Sequence, residues 1–193
     1  MVSQKLTIFL DRDGVINVDS PLYIKTPREF RFISGSAEAV ALLSQKGFHI
    51  IVITNQSMIN RGISNRENLD AIFATMKAGI REKGGEIRDI FYCPHAPEEG
   101  CSCRKPGPGL IDLACKKYAI DPQASFMVGD SAKDMECAHN AGVGKAVLVL
   151  TGNGRKALKS LEAKQIKPDF IALDLMDAAR WILQQQQGSL KEP

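Results

Sequence analysis

Long hydrophobic runs are missing from this sequence, and its start lacks the pattern of a secretory signal. No apolar stretch approaches the ~18 residues that a membrane span requires. The first apolar run is short and ends at an acidic residue, Asp11, whereas a signal sequence has a longer apolar region and a cleavage site. We therefore expect a cytoplasmic protein that makes no contact with a membrane.

Aromatic residues and concentrated charge are scarce as well. Phe, Trp and Tyr make up 6% of the 193 residues, and the net charge of +3 is spread along the chain. Binding of single-stranded nucleic acid calls for stacking aromatics and a basic groove, so we expect no nucleic-acid partner. A mildly basic protein suits a small anionic substrate instead.

The length and composition are typical of one soluble globular domain. Hydrophobic residues make up 44% of the chain and charged residues 24%, as in ordinary folded proteins, and 193 residues are few for two domains. We predict a single domain over residues 1–187 and a frayed tail over 188–193. Since no long coiled-coil pattern is present, we expect a monomer.

Short runs rich in β-branched residues alternate with helical patterns. The predicted strands are residues 6–10, 49–53, 90–92, 125–128, 147–150 and a short one near Phe170. The predicted helices are 36–46, one that follows a capping box at 64–67, 109–118, 132–140 and one through Trp181. This alternation predicts an α/β fold, a Rossmann-like and mainly parallel sheet with helices on both faces. The segments 18–33 and 55–64 are too short to form a large cap domain.

Polar residues follow four of the predicted strands. Asp11 follows the first strand, Thr54 the second, a cysteine-rich loop the third and Asp130 the fourth. In parallel sheets ligands bind at the carboxyl ends of strands, near the point where the strand order switches. The four places therefore predict one site.

Asp11 and Asp13 form a carboxylate pair in the segment DRDG. A phosphate ester repels an anionic nucleophile, and a Mg²⁺ ion between the carboxylates and the phosphate oxygens removes that obstacle. One carboxylate can then attack phosphorus, while the other donates and later accepts a proton. The alternative is that the pair only caps a turn.

Three further segments supply groups that suit the same chemistry. Thr54 and the backbone near Asn55 can bind phosphoryl oxygens, Lys105 can offset their charge, and Asp130 can complete the Mg²⁺ site. Each segment also has a purely structural interpretation. Thr and Asn are common in turns, a lone loop lysine is usually solvated, and Asp130 has the position of a helix N-cap.

The segments DRDG, TNQ, RKPGPG and GDSAKD occur in this order and after these strands. They resemble the four motifs of the haloacid dehalogenase (HAD) superfamily of phosphatases, over about two thirds of the chain. The resemblance implies that Asp11 is the nucleophile and Asp13 the general acid and base. It also implies that Thr54 and Lys105 stabilise the phosphoryl group. By the same resemblance Asp11, Asp130 and the backbone carbonyl of Asp13 bind Mg²⁺.

Cys93, His95, Cys101 and Cys103 lie within eleven residues. Three thiolates and one imidazole make a complete tetrahedral set for a structural Zn²⁺ ion. We expect zinc to stiffen this loop and to position Arg104 and Lys105, which follow it. The alternative is a set of free surface thiols beside an unrelated histidine.

Within the superfamily, the metal loop and the segment CRKPGPG resemble two subgroups. DRDGVIN, TNQS with the later Arg61-Gly62, and KPGPG favour the heptose 1,7-bisphosphate phosphatases of nucleotide-heptose biosynthesis. The short spacing from His95 to Cys101 is more typical of the histidinol-phosphate phosphatases. The first resemblance implies that five residues contact the substrate: Asp19, Asn55, Arg61, Arg104 and Ser131. Ser131 occupies a position where many heptose enzymes have a lysine.

Two other classes of function stay open at this point. A binding module would use the metal loop as a surface for a partner and would hold Mg²⁺ without turnover. A polynucleotide 3′-phosphatase would share the core chemistry, but it calls for a basic groove with stacking aromatics. We therefore expect a phosphoric monoester hydrolase whose partner is a small phosphorylated molecule, with Mg²⁺ in the reaction and Zn²⁺ in a structural site.

Overall fold

A computed structural model describes residues 6–188, and its strands form one parallel sheet. The strands are β1 (Thr7–Leu10), β2 (His49–Asn55), β3 (Asp89–Cys93), β4 (Phe126–Gly129), β5 (Lys145–Val149) and β6 (Phe170–Ala172). Their order across the sheet is β3-β2-β1-β4-β5-β6, and all neighbouring pairs are parallel. The chain therefore builds outward from β1 on one side and then crosses to β4 on the other. This switch point is where parallel sheets place their ligands.

Helices cover both faces of the sheet. They are α1 (Ser36–Gln45), α2 (Arg66–Glu82), α3 (Gly109–Tyr118), α4 (Ala132–Asn140), α5 (Gly154–Ala163) and α6 (Leu175–Gly188). Helices α1, α2 and α6 pack on the face that carries Ile8 and Leu10, whereas α3 and α4 pack on the face that carries Phe9. Because successive side chains of a strand point to opposite faces, one buried run of β1 supplies both cores. The predicted Rossmann-like α/β fold is confirmed.

The element boundaries differ from the predicted ones mainly in three places. Helix α5 was not predicted, although Ala157, Leu158 and Leu161 recur at helical spacing and pack in one buried cluster. The predicted capping box at Ser64 is wrong: Asn65 caps α2 by accepting from the amide of Asn68, and the Ser64 hydroxyl donates to the carbonyl of Lys25. Gly188, the first residue of the predicted tail, ends α6, and 189–193 lie outside the described residues.

Within residues 6–188, the two segments that follow β1 and β2 remain short. The first contains only one 3₁₀ turn, Pro27–Glu29, and the second consists of turns up to the start of α2. The prediction that a large cap domain is absent holds for this part of the chain. Of the helices in the same range, none combines the length and the apolarity needed to cross a membrane.

Candidate active site

A cavity of about 480 Å³ opens at the carboxyl ends of β1, β2 and β4. Five separate segments of the chain line it: four of them follow β1, β2, β3 and β4, and the fifth, represented by Asn153, follows β5. Its lining includes most of the predicted site residues: Asp11, Asp13, Asp19, Thr54, Asn55, Arg104, Lys105, Asp130 and Ser131.

Asp11 lies directly after β1, and its backbone amide donates to the carbonyl of Val128 in β4. One carboxylate oxygen, Oδ1, accepts from the Arg12 amide at 2.7 Å and lies 2.8 Å from Nζ of Lys105. Burial raises the pKa of Asp11 well above its usual value; Lys105 opposes that rise, and the nearby Asp134 and Asp130 add to it. Together these effects favour the protonated form of Asp11, and a further positive charge beside it would favour the ionised, nucleophilic form.

Lys105 is buried, and its ammonium group is held by three oxygen atoms. Nζ lies 2.8 Å from Asp11, 2.6 Å from Asp134 and 3.0 Å from the carbonyl of Ile53. Burial lowers the pKa of Lys105, but the two carboxylates outweigh burial and raise it, so that the ammonium stays charged. The structural interpretation of a solvated loop lysine is wrong.

Asn55 helps to fix this lysine. Its side-chain amide donates to the Lys105 carbonyl at 3.2 Å and accepts from the Lys105 amide at 3.1 Å. This pair of bonds joins the end of β2 to the loop that precedes α3. Asn55 thus holds the backbone of the lysine and also reaches the cavity lining.

Asp13 is partly buried and its carboxylate accepts several hydrogen bonds. Arg12 donates at 2.8 and 3.1 Å, Asn17 at 2.9 Å and Gln56 at 3.0 Å. Burial raises the pKa of Asp13, but the Arg12 guanidinium and these donors hold it below its usual value. In this arrangement Asp13 is an anion.

Thr54 is buried at the end of β2, where its hydroxyl oxygen accepts from the side-chain amide of Gln56 at 2.8 Å. The same amide group donates to Asp13. Gln56 therefore ties the predicted phosphoryl-binding hydroxyl to the predicted acid and base. The simple turn interpretation of this segment misses that link.

Asp130 follows β4, and its Oδ2 accepts from the backbone amide of Asn153 at 2.7 Å. The N-cap of α4 is Ser131, in a capping box with Asp134, so the interpretation of Asp130 as the cap is wrong. Burial raises the pKa of Asp130 to about 7; the Asn153 amide opposes this, and the charge of Asp134 adds to it.

The carboxylates fit a divalent cation. Asp11, Asp130 and Asp134 each have an oxygen within 4.8 Å of the others, and hard oxygen ligands are those that Mg²⁺ prefers. The buried ammonium of Lys105 is paired with two of these three carboxylates, Asp11 and Asp134, and a Mg²⁺ ion would offset the remaining negative charge. Because Asp134 contacts both Lys105 and Ser131, Asp11 and Asp130 are the better candidates for ligands.

The cysteine-rich loop also forms a compact cluster. Sγ of Cys93 lies 3.5 Å from that of Cys101 and 3.3 Å from that of Cys103, and Nδ1 of His95 lies 3.4 and 3.3 Å from Cys93 and Cys103. A tetrahedral zinc with Zn–S bonds of ~2.3 Å places its sulfur atoms ~3.8 Å apart. The four side chains are close to that spacing, so this cluster can hold zinc.

The predicted substrate residues divide into two groups. Asp19, Asn55, Arg104 and Ser131 line the cavity, but Arg61 is absent from its lining. Arg61 lies 3.4 Å from Glu98 in the 3₁₀ turn of the metal loop. The hydroxyl of Ser131 donates to Asp134 at 2.6 Å, so its first role is to cap α4.

Several site residues were not predicted. They are Arg12, Asn17 and Gln56 around Asp13, and Asn153 beside Asp130. Arg12 and Gln56 lie inside the recognised motifs, where each could have been proposed as a partner of a carboxylate. Asn153 follows β5, and its position at the carboxyl end of a strand is the only signal that could have identified it.

Comparisons with known proteins agree with this geometry. A family model described as HAD-hydrolase-like matches residues 102–178. A D-glycero-beta-D-manno-heptose-1,7-bisphosphate 7-phosphatase of Pseudomonas putida is 47% identical over 152 residues, which cover 79% of this chain and 86% of the relative. The enzyme of the same name from Neisseria meningitidis is 38% identical over 178 residues, covering 92% and 95%.

Solved structures give the same result. The D,D-heptose 1,7-bisphosphate phosphatase of Bordetella bronchiseptica, crystallised with magnesium and phosphate, matches with a TM-score of 0.88 and 38% identity, covering 93% of this chain and 99% of that one. The enzyme of the same name from Burkholderia thailandensis matches with a TM-score of 0.71 and 32% identity. The chain therefore belongs to the HAD-like hydrolases, in the family of the heptose bisphosphate phosphatases, and it is a phosphoric monoester hydrolase rather than a binding module.

Proposed function

We propose that this protein removes the C7 phosphate of D-glycero-β-D-manno-heptose 1,7-bisphosphate in nucleotide-heptose biosynthesis. The observation that carries the proposal is the cavity at the switch point, where Asp11 and Asp13 meet Lys105 and Asp130. The identity of 47% to a phosphatase of that name supports the choice of substrate. The beta anomer is proposed because the relatives carry it in their names.

In the first step Asp11 attacks phosphorus, and the bond from phosphorus to the C7 oxygen of the sugar breaks. The departing oxygen takes a proton from Asp13, and an aspartyl-phosphate remains on Asp11. Lys105 contacts Asp11 and Thr54 lines the same cavity, and both are proposed to stabilise the phosphoryl oxygens. When bound, Mg²⁺ supplies positive charge that offsets the repulsion between the carboxylate and the phosphate.

In the second step Asp13 takes a proton from a water molecule, which attacks the aspartyl-phosphate and releases inorganic phosphate and Asp11. The contacts with Arg12, Asn17 and Gln56 keep Asp13 anionic before substrate arrives. An anionic phosphoryl group placed beside Asp13 raises its pKa, since like charges favour the protonated form, so Asp13 takes up a proton from solvent as substrate binds and donates it in the first step. That is the direction which the acid step requires.

Selection of a bisphosphate calls for cations beyond those that hold the reacting phosphate. Arg104 lines the cavity and uses one nitrogen to donate to the carbonyl of His95 at 2.9 Å, which leaves other donors for the sugar or its second phosphate. Lys133 also lines the cavity and is proposed to replace the lysine that many heptose enzymes carry at the position of Ser131. Asp19 and Asn55 are proposed to contact the sugar hydroxyls.

One feature favours histidinol phosphate as a second candidate substrate. Five residues separate His95 from Cys101, and a metal loop this short is typical of the histidinol-phosphate phosphatases. That substrate carries one phosphate and a cationic amine, so it has no use for two free cations on the cavity wall. We therefore rank it second.

We further propose that residues 1–187 act as one domain, as a monomer in the cytoplasm, without a nucleic-acid or membrane partner. All six strands of the described residues share one sheet, which supports a single cooperative unit. The described cysteines are free thiols, and a thiolate metal site suits a reducing compartment. A single urea unfolding transition, a monomer mass by light scattering and recovery in the cytoplasmic fraction are the expected results.

The test is phosphate release with Mg²⁺ from a panel of phosphate esters. The panel contains both anomers of the heptose bisphosphate, histidinol phosphate, fructose 1,6-bisphosphate and a 3′-phosphorylated oligonucleotide. The beta heptose bisphosphate is expected to lead in kcat/KM by orders of magnitude, and Asp11→Asn is expected to abolish its turnover while the circular dichroism spectrum stays unchanged. Preference for another ester, or turnover by a folded Asp11→Asn protein, contradicts the proposal.

A further inference from the structure

The loop after β5 contributes to the site although it belongs to none of the four motifs. We propose that this loop, Thr151–Gly154, is a fifth segment of the active site. Within it, Asn153 is a positioning residue that holds Asp130 and couples it to Asp19 on the cavity wall. The inference rests on the proposed function only in that it takes Asp130 as a magnesium ligand.

The first observation is that Asn153 grips one oxygen of Asp130 twice. Its backbone amide donates to Oδ2 at 2.7 Å and its side-chain Nδ2 donates to the same atom at 3.3 Å. Among the described residues, no protein donor bonds to the second oxygen, Oδ1. A carboxylate that is fixed through one oxygen presents the other in a defined direction, which is what a metal ligand requires.

The second observation is steric. Gly14 and Gly152 both have positive φ, at 79° and 54°, and a Cβ atom on either would collide with the Asp130 carboxylate. The Thr151 hydroxyl donates to the Gly14 carbonyl at 2.6 Å and so fastens the loop to the DRDG turn. Asp130 is therefore enclosed by two backbones that approach closely because neither has a side chain there.

The third observation is that the same amide reaches the substrate side of the cavity. Nδ2 of Asn153 donates to Oδ2 of Asp19 at 2.9 Å, and Asp19 lines the cavity. One neutral group thus connects a proposed magnesium ligand with a proposed substrate residue. A shift of Asp19 toward a bound sugar moves the side-chain amide, which is one of the two donors that hold Asp130.

The chemistry of the amide matters as much as its position. An amide satisfies a carboxylate oxygen without cancelling its charge, whereas an ammonium group at this place compensates Asp130 and competes with a cation. The buried ammonium of Lys105 forms its ion pairs with Asp11 and Asp134, and among the described residues it forms none with Asp130. Asn153 therefore stabilises Asp130 in a form that still attracts Mg²⁺.

The test measures Mg²⁺ affinity without turnover. Chelator-treated protein is titrated with MgCl₂ while its melting temperature and heat of binding are recorded, for the wild type and for Asn153→Ala, Asn153→Lys, Asp130→Asn and Gln45→Ala. Gln45 is the control, because its side-chain amide also donates an exposed hydrogen bond, at 3.1 Å to the Gly84 carbonyl, and it does not line the cavity. Loss of a group that orients a metal ligand lowers metal affinity by roughly 10–100-fold.

Asn153→Ala keeps the backbone bond to Asp130 and removes the side-chain bonds to Asp130 and Asp19. It is expected to raise the Mg²⁺ dissociation constant by about 10-fold, the lower end of that range, and Asn153→Lys by more. Gln45→Ala is expected to match the wild type. Wild-type Mg²⁺ affinity in either Asn153 variant overturns the inference. If Asp130→Asn keeps wild-type affinity, the proposed magnesium site fails instead, so the two failures can be told apart.

The coupling to Asp19 has its own readout. KM for the heptose bisphosphate is measured at saturating Mg²⁺ in Asn153→Ala, Asp19→Ala and the double variant. If the residues act through one hydrogen bond, the double variant raises KM no more than the stronger single variant. If the double variant raises KM by the product of the two single-variant factors, the coupling is overturned and the role of Asn153 is limited to holding Asp130.

Discussion

The ammonium nitrogen of Lys105 lies 2.8 Å from Oδ1 of Asp11, and the lysine side chain is 3% exposed. The same nitrogen contacts Asp134 at 2.6 Å, so one cation serves two carboxylates in a space that water hardly reaches. The pair therefore has two effects. It keeps the nucleophile in place, and it compensates charge that the fold cannot leave unpaired.

The first prediction concerns Lys105→Met. Removal of one partner from a buried ion pair costs about 3–5 kcal/mol of unfolding free energy, because the remaining charge is uncompensated. The loss is expected to be larger at pH 8 than at pH 5, where the carboxyl groups can take up protons. Urea unfolding at the two pH values measures it, and kcat is expected to fall sharply.

Lys164→Met is the matched control. Lys164 contacts Glu136 at 2.7 Å, but its side chain is 48% exposed, and surface ion pairs contribute ~0–1 kcal/mol. Equal losses of unfolding free energy in the two variants would show that burying Lys105 between Asp11 and Asp134 makes its ion pairs no stronger than an exposed one.

The second prediction concerns the loss of folding stability at low pH. The folded-state pKa of Asp13 is lowered, so its contribution is present above the unfolded value near 3.8 and is lost as pH falls through the folded value. Asp13→Asn is expected to remove part of the stability that the wild type loses below about pH 4. Since Asp13 is also the proposed acid and base, kcat should fall by about 10²–10⁴-fold.

Acid titrations of the melting temperature for both proteins give the answer. If the melting temperatures of the wild type and Asp13→Asn fall identically as the pH is lowered, the bonds from Arg12, Asn17 and Gln56 do not stabilise the ionised form of Asp13. Unchanged kcat in a folded Asp13→Asn protein would exclude the proton-transfer role.

The third prediction has the opposite sign and applies to metal-free protein. The pKa of Asp130 is raised to about 7 in the folded state, so its contribution is full below the unfolded value near 3.8 and is lost as pH rises through 7. The chelated protein is expected to lose stability on the order of a few kcal/mol between pH 5 and pH 8. Mg²⁺ is expected to reverse that loss.

Melting curves with EDTA and with MgCl₂, from pH 5 to pH 8, test this. Asp130→Asn should flatten the curve obtained with EDTA. A wild-type curve that is flat without metal would contradict the effect of burial on Asp130.

Some features of the fold and of the active site depend on local sequence alone. The fold follows from local patterns, because buried β-branched runs and helical periodicity are properties of neighbouring residues. The residues that lie at strand ends, such as Asp11 and Asp130, follow from the geometry of parallel sheets. The sequence could predict these, since each depends on one segment at a time.

What the sequence could not predict depends on contacts between distant segments. The bond from Asn153 to Asp130 joins positions 23 residues apart, and the bond from Asn153 to Asp19 joins positions 134 apart. Arg61 shows the same limit from the other side, since its motif context suggested the substrate whereas the fold turns it toward Glu98. No pattern within one segment distinguishes these outcomes.

The fourth prediction concerns the zinc cluster. Protein purified without added metal is expected to contain about one zinc per chain, and Cys103→Ser is expected to lose it and to melt at a lower temperature. KM should also rise, because Arg104 donates to the His95 carbonyl and so depends on the loop. Cys115→Ser is the control, since Cys115 lies in α3 outside the cluster. Zinc content equal to wild type in Cys103→Ser would remove Cys103 from the ligand set.

The fifth prediction compares two arginines that resemblance alone treats as equivalent. Arg104 lines the cavity, whereas Arg61 is 40% exposed and lies beside Glu98. A hydrogen bond to a charged group contributes about 1.5–3 kcal/mol, so Arg104→Ala should raise KM for the heptose bisphosphate by roughly 10–100-fold. Arg61→Ala should change KM by less than about twofold, since it removes only an exposed ion pair.

The comparison is decisive because both variants lose the same charge from the same surface region. A general electrostatic effect on an anionic substrate would raise KM in both, and it would fade at high salt. A contact made by Arg104 alone raises KM in one variant and keeps most of its effect at high salt, because the group is partly shielded from solvent. If Arg61→Ala proves the more damaging variant, Arg61 must move into the cavity when substrate binds, and the ion pair with Glu98 is a resting position.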